Sequence, residues 1–348
     1  MGTVFQLNDD HAAAPGDEVR RVRRALGLTD ADLDDLARLA AFGSTPERFR
    51  LPDGPVADQY LRDLGVCDLD RTETLGARPD PRDHPELWWL LERCYHHLIS
   101  NVGRPGRLSP PWPTLSSLGA VGRFAYVWVF LAVVPHARRY HALHHVPDEV
   151  SWDSLGVIAA QMVNHRAIYG RGGLHTQDWI THHFRGAIYP LGRLHYERLI
   201  VPPGPSLDDG GPEPGDHVLG LHIPEGRLTP SSVDESLGLA GRFFARHFPD
   251  ETYRYTVCTS WVLDPQLLEY LPADSNIIRF QQRFTLRPVD PTGDDSATVV
   301  EFLFKRRLAE LELLPRATTL QRAVIDQIRC NRPWHFRDGW FPLGSDPT

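Results

Sequence analysis

The sequence predicts an α+β protein, a helical N-terminal domain followed by a mixed α/β sheet domain. Three observations carry that expectation. Apolar residues over the first 150 or so positions recur at helical spacing, no strand pattern of any length precedes residue 184, and beyond it the apolar period shortens toward two. The expected domains are residues 1–150 and 151–348.

"DEVRRVRRALGL" and "DADLDDLARLAAFG" each open on an aspartate and stop near a glycine or a turn. In the second, Leu33, Leu36 and Ala40 fall on one helix face. "HPELWWLLERCYHHLISNVG" is a further helix with Trp88, Trp89, Leu90 and Leu91 as core stripe. "VGRPGRLSPPWP", residues 102–113, is a connector too rich in proline and glycine to continue a helix. "SSLGAVGRFAYVWVFLAVV", apolar nearly all round, reads as a buried core helix, and "SWDSLGVIAAQMVNHRAIYG" follows behind Pro147.

"FRGAIYPLGRLHYERLIV" (184–201) is rich in sheet formers, and residues 202–216 form an acidic Pro/Gly loop. Val218, Leu219, Leu221 and Ile223 predict a strand that Pro224-Glu225-Gly226 breaks. Thr229 reads as an N-cap, Pro230 as the first helical residue, and Asp234 and Glu235 as first-turn acids. The helix behind them puts Val233, Leu237, Ala240 and Phe244 on one face. "YRYTVCTSWVL" alternates as a strand, and "DPQLLEYL" is a short helix capped by Asp264. "NIIRFQQRFTLRPV" and "ATVVEFLFK" predict two half-buried antiparallel strands joined at "DPTGDD". From Arg316 a helical stretch leads to an aromatic end, "RPWHFRDGWF".

At 41% hydrophobic and 24% charged residues the chain is an ordinary globular protein, and 348 residues suffice for two domains. A formal net charge of −8 argues against nucleic acid as a partner. The longest apolar run, Phe124–Pro135, is too short to span a bilayer, so no membrane partner is expected. Cys67, Cys94, Cys258 and Cys330 lie far apart and fit reduced thiols, and no signal peptide opens the chain. The expected location is the cytoplasm. His141 and His145 stand four apart, as in a zinc-binding helix, but Ala142 occupies the position of the glutamate in that motif, and no metal site is expected.

The order of elements from residue 184, with "GRLHYERL", "LGLHIPEG", "CTSWVLDPQLLEYLP" and "SNIIRFQQRF", resembles the GCN5-related N-acetyltransferase (GNAT) superfamily. More narrowly it is similar to bacterial acyltransferases that join a helical N-acyltransferase N-terminal domain to a GNAT-like C-terminal domain. The resemblance implies acyl transfer to an amine from acyl-CoA, acetyl-CoA or a longer thioester, or from an acyl carrier protein. It also implies that two central strands part to admit the pantetheine arm and that the pyrophosphate lies over the following loop. The acceptor is then a small-molecule or peptide amine. The loop here has one glycine, Gly226, where the superfamily's usual form Q/R-x-x-G-x-G/A has more. That departure keeps a second reading open, a non-catalytic acyl- or CoA-binding module with the same fold.

Under the resemblance, Ile223, Glu225, Gly226, Arg227, Leu228, Thr229 and Ser231 bind the cofactor. His222 is the best-placed base, because a histidine titrates near neutral pH, with Glu225 and Glu197 as fallbacks. Ser260 and Tyr270 lie where the resemblance places the departing thiol, as acid or oxyanion donor. Cys258 lacks the basic neighbours of a nucleophilic thiolate, and Ser260 lies outside any G-x-S-x-G elbow.

Overall fold

A computed structural model describes residues 16–43, 47–106, 108–115, 117–204, 210–288 and 293–344. The chain divides into two compact units, with the boundary between Tyr189 and Pro190. The expected boundary after residue 150 lies inside a continuous helix, Asp148–Tyr169. The central stretch of "DPTGDD" and part of the acidic Pro/Gly loop lie outside the described residues.

The first unit is helical: α1 (Asp17–Ala25), α2 (Leu33–Ala40), α3 (Gly54–Asp63), α4 (Asp68–Gly76), α5 (Pro85–Ile99), α6 (Gly119–Leu143), α7 (Asp148–Tyr169) and α8 (Gln177–Phe184). Helices α3, α4 and α8 carry too few apolar residues for their periodicity to predict them. Start signals mark α3 all the same, since Asp53 accepts a hydrogen bond from Val56 N and Pro55 sits in the first turn. Helix α6 supplies the centre of the core: Phe124, Trp128, Phe130 and Leu131 are buried among Leu36, Leu61, Leu91 and Ile158. Its 25 residues are long and apolar enough to cross a membrane, yet 72% of the most apolar stretch is buried, as expected of a core helix.

The second unit is built on a six-stranded sheet of order β1-β2-β3-β4-β6-β5. Its strands are β1 (Ile188–Leu191), β2 (Leu194–Ile200), β3 (His217–His222), β4 (Tyr255–Ser260), β5 (Thr285–Leu286) and β6 (Arg337–Pro342). Helix α9 (Pro230–His247) links β3 to β4, which run parallel, as a strand–helix–strand crossover demands. Strands β2 and β3, and likewise β4 and β6, are antiparallel. Buried Ser236 fixes α9 to the sheet, donating to Leu191 O at 2.5 Å and accepting from Leu194 N at 3.1 Å.

Between β4 and β6 lies an insertion with its own core of Trp261, Leu267, Ile278, Val299, Val300, Val324 and Trp334. Here two expectations fail. The segment "NIIRFQQRFTLRPV" is a short helix, α10 (Asn276–Gln281), followed by only two strand residues in β5. "ATVVEFLFK" is helical as well, α11 (Ser296–Phe304), which buries Val299, Val300 and Phe304. Ser275 caps α10 by accepting from Ile278 N, a local bond that outweighs the sheet propensity of the isoleucines. After α12 (Thr319–Arg329), the aromatic end becomes β6. Buried Asp264 holds the insertion to its neighbours, accepting from Gln266 N, Gln266 Nε2 and His335 N, each at 3.0 Å.

Candidate active site

Strands β3 and β4 pair only through Val218–Tyr255, Leu219–Thr256 and Gly220–Val257. Both then continue without each other. Leu221 and His222 pair with β2 alone, whereas Cys258, Thr259 and Ser260 pair with β6 alone. Each strand is thus held on its outer side while the inner edges part beyond Gly220 and Val257. Backbone groups on such edges need partners, and an extended amide-bearing chain can supply them. The opening leads to Ile223 and Pro224, where β3 ends.

The loop that follows is shaped from outside by Arg193, in the turn between β1 and β2. Its Nη2 donates to Pro224 O at 2.7 Å and to Gly226 O at 2.8 Å, and its Nε donates to Arg227 O at 2.9 Å. Gly226 has φ +127°, a conformation that costs little for glycine alone, and the nearest atom to a Cβ built there is Arg193 Nη2 at 3.9 Å. Glu225, Gly226 and Arg227 are exposed, while Leu228 is buried and anchors the loop. Thr229 caps α9 as expected, accepting from Ser232 N at 3.2 Å, and Pro230 opens the helix. Ser231 is exposed in its first turn. No acid falls in the first turn of α9, so Asp234 and Glu235 lie deeper in the helix than expected. Asp234 pairs with Arg283 at 2.7 Å, and Glu225 lies 3.8 Å from Lys305.

His222 Nε2 lies 2.9 Å from Glu197 Oε2. The β2–β3 register puts His195 opposite His222 and Glu197 opposite Gly220, so all three polar side chains share one face. Gly220 makes that possible, because a Cβ there would sit 2.7 Å from Leu199 Cδ1 and 3.3 Å from Glu197 Cβ. The Glu197 side chain is 5% exposed and that of His222 31%, so a buried carboxylate backs an accessible imidazole. Burial, reinforced by His222 and Arg193, lowers His195 to about 4 and keeps it neutral. The same face continues from Gly220 to its partner Val257 and so to Thr259, whose hydroxyl donates to Asp338 Oδ1.

The other expected residues are placed differently. Ser260 accepts from Val262 N at 3.1 Å, and strand alternation puts it on the face opposite Thr259. Tyr270 belongs to the core of the insertion, where its hydroxyl donates to Gln327 Oε1 at 2.8 Å. Cys258 is 3% exposed, and burial raises its thiol far above the usual range, leaving it a structural residue. Glu225 is largely exposed, with Lys305 as its cationic neighbour. Sequence reasoning missed Arg193, Thr259 and Asp338, and it offered Glu197 only as a base rather than as the partner of one. Helix α6 ends at Leu143, so His145 falls outside it, and among the described residues no group of three His, Cys, Asp or Glu side chains could hold a metal. A recess of about 530 Å³ beside Trp128 in the helical unit contains none of these residues.

Residues 55–186 match the family model of the N-acyltransferase N-terminal domain, and residues 188–341 match that of the GNAT-like C-terminal domain. No curated protein matches the sequence. Among solved structures, an acyltransferase mutant in complex with octanoyl-CoA is 40% identical, with a TM-score of 0.83 over 94% of this chain and 99% of that one. An acyltransferase in complex with decanoyl-CoA and teicoplanin is 40% identical, with a TM-score of 0.82 over 93% and 99%. The same values hold for an acyltransferase in complex with CoA and 10C-teicoplanin. Parted central strands and a helix-capping loop are the parts a thioester donor requires, and they occur here in a chain alike over nearly its whole length. This protein belongs to the GNAT-like N-acyltransferases and transfers an acyl group from acyl-CoA.

Proposed function

We propose that the protein acylates an amine of a glycopeptide, using a medium-chain acyl-CoA and His222 as the base. The observation that carries the chemistry is the buried Glu197 carboxylate 2.9 Å from His222 Nε2, on the rim of the parted strands. With the proton on Nε2 donated to Glu197, Nδ1 is the basic nitrogen. The donor's pantetheine lies between the free lengths of β3 and β4, and its pyrophosphate lies over residues 223–231. The amine attacks the thioester carbon and gives one proton to His222 as the nitrogen–carbon bond forms. The carbon–sulfur bond breaks, and the imidazolium returns that proton to the departing thiolate. Products are an amide and CoA thiol, with no second acid needed. Glu197 stabilises the imidazolium between the two transfers. Ser260 and Tyr270 are given no proton-transfer step.

Chain length and acceptor class are supported by the octanoyl, decanoyl and teicoplanin complexes of structures 40% identical to this chain. The test is thiol release from acetyl-, octanoyl- and decanoyl-CoA, with and without a glycopeptide bearing a free primary amine. Release should require the glycopeptide and favour the eight- and ten-carbon donors, with mass spectrometry finding one added acyl group. Equal or faster release from acetyl-CoA, or release indifferent to the glycopeptide, would overturn the proposal.

A further inference from the structure

We infer that Arg193 is the positioning residue of the donor site, a guanidinium that turns the loop after β3 into a cradle for the CoA pyrophosphate. The inference rests on that loop being where the pyrophosphate lies. Three carbonyl oxygens, those of Pro224, Gly226 and Arg227, converge on one side chain. In a trans peptide the N–H of the next residue points opposite to the carbonyl. Drawing these carbonyls toward Arg193 therefore turns the N–H groups of Glu225, Arg227 and Leu228 away from it. Among the described residues those three N–H groups have no protein acceptor, which leaves them open to a ligand. Successive outward N–H groups ahead of a helix make an anion site.

A loop with one glycine has little intrinsic preference for such a shape, so something must impose it. Gly226 supplies the single backbone conformation that other residues resist, and Arg193 fixes the rest. The hairpin turn that carries Arg193 is itself constrained. Gly192 has φ +72°, and a Cβ there would lie 3.2 Å from Leu239 Cδ1 on α9, so turn and helix are packed closely beside the loop. Lysine cannot replace the arginine, because a point donor cannot span three carbonyls as a planar fork does.

The experiment is calorimetric binding of decanoyl-CoA and of decanoyl-pantetheine, which keeps the thioester and arm but lacks the pyrophosphate and the nucleoside it carries. It is run on the full chain, on R193A and on R193K. The unchanged protein should prefer decanoyl-CoA, and R193A should lose about tenfold or more of that preference, as when two or three hydrogen bonds to a shaped loop are removed. R193K should fall between them. No preference in the unchanged protein would refute the pyrophosphate loop and the inference with it. A preference kept within about twofold by the variants would overturn the role of Arg193 alone. Should R193A lose its fold by circular dichroism, R193K decides by the same ratio.

Discussion

At the scale of single residues, the proposed chemistry turns on one pair. His222 sits at the end of a strand with a buried carboxylate behind it, an arrangement that fixes its tautomer. Replacing His222 with alanine should lower kcat by about 10²- to 10⁴-fold while the KM for acyl-CoA changes little. The change E197Q keeps the shape and removes the charge, so it should cost kcat less than H222A does. Steady-state thiol release measures both, and a kcat within twofold of the parent in H222A would remove His222 from the chemistry. The histidine was legible from its place before a loop. Its partner was not, because Glu197 meets His222 through the register of two strands and through the missing side chain at Gly220. No local pattern in a sequence encodes that meeting.

At the scale of elements, the loop between β3 and α9 joins a caps-and-glycine grammar to a long-range clamp. Thr229, Pro230 and Gly226 announced themselves, and each does what its type suggests. The change G226A adds a Cβ that meets nothing closer than 3.9 Å, so its cost is the backbone conformation, about 1–3 kcal/mol. Because the loop is exposed, that strain should be relieved by local rearrangement. Affinity for acyl-CoA should then fall while the melting temperature stays within a few degrees, and calorimetry beside a thermal melt reads both. A melting temperature lowered with affinity intact would show that the conformation serves the fold instead. The strand–helix–strand unit from β3 to β4 was readable because period two, a cap and period two again follow in order. Residues 276–304 were not. Ile278, Phe280, Val300 and Phe302 carry sheet-forming side chains, yet they sit on short helices, with Ile278 and Val300 buried in the core around Trp334 and Phe302 exposed. Strand β6 was hidden for the converse reason, since Arg337, Asp338, Gly339 and Pro342 have poor sheet propensity and are held by their partners in β4.

At the scale of the whole molecule, buried histidines set the response to acid. Burial lowers His97, His165 and His195 to about 4 and His141 to about 3, from an ordinary value of 6.5. The unfolded chain takes up protons below pH 6.5 that these folded sites refuse, so their stabilisation is complete above pH 6.5 and is lost as pH falls toward 4. Asp178, raised to about 6 by burial, and Asp35, also raised by burial, act in the opposite sense, while burial lowers His96 along with the other four histidines. The melting temperature should therefore be lower at pH 5 than at pH 7 by about 5 °C or more. A thermal melt that is flat or rises toward pH 5 would contradict it.

The order in which the sheet is threaded has a consequence for synthesis. Strand β4 owes its outer partner to residues 337–342, which leave the ribosome only after the entire insertion has been made. Until they arrive, β4 is a bare edge beside β3, with nothing to hold it away once their three shared pairs end. A nascent chain stalled before Arg337 thus has a helical unit, a capped α9 and His222, but no second wall for the thioester. Acylating competence in this sense waits on residues 337–342.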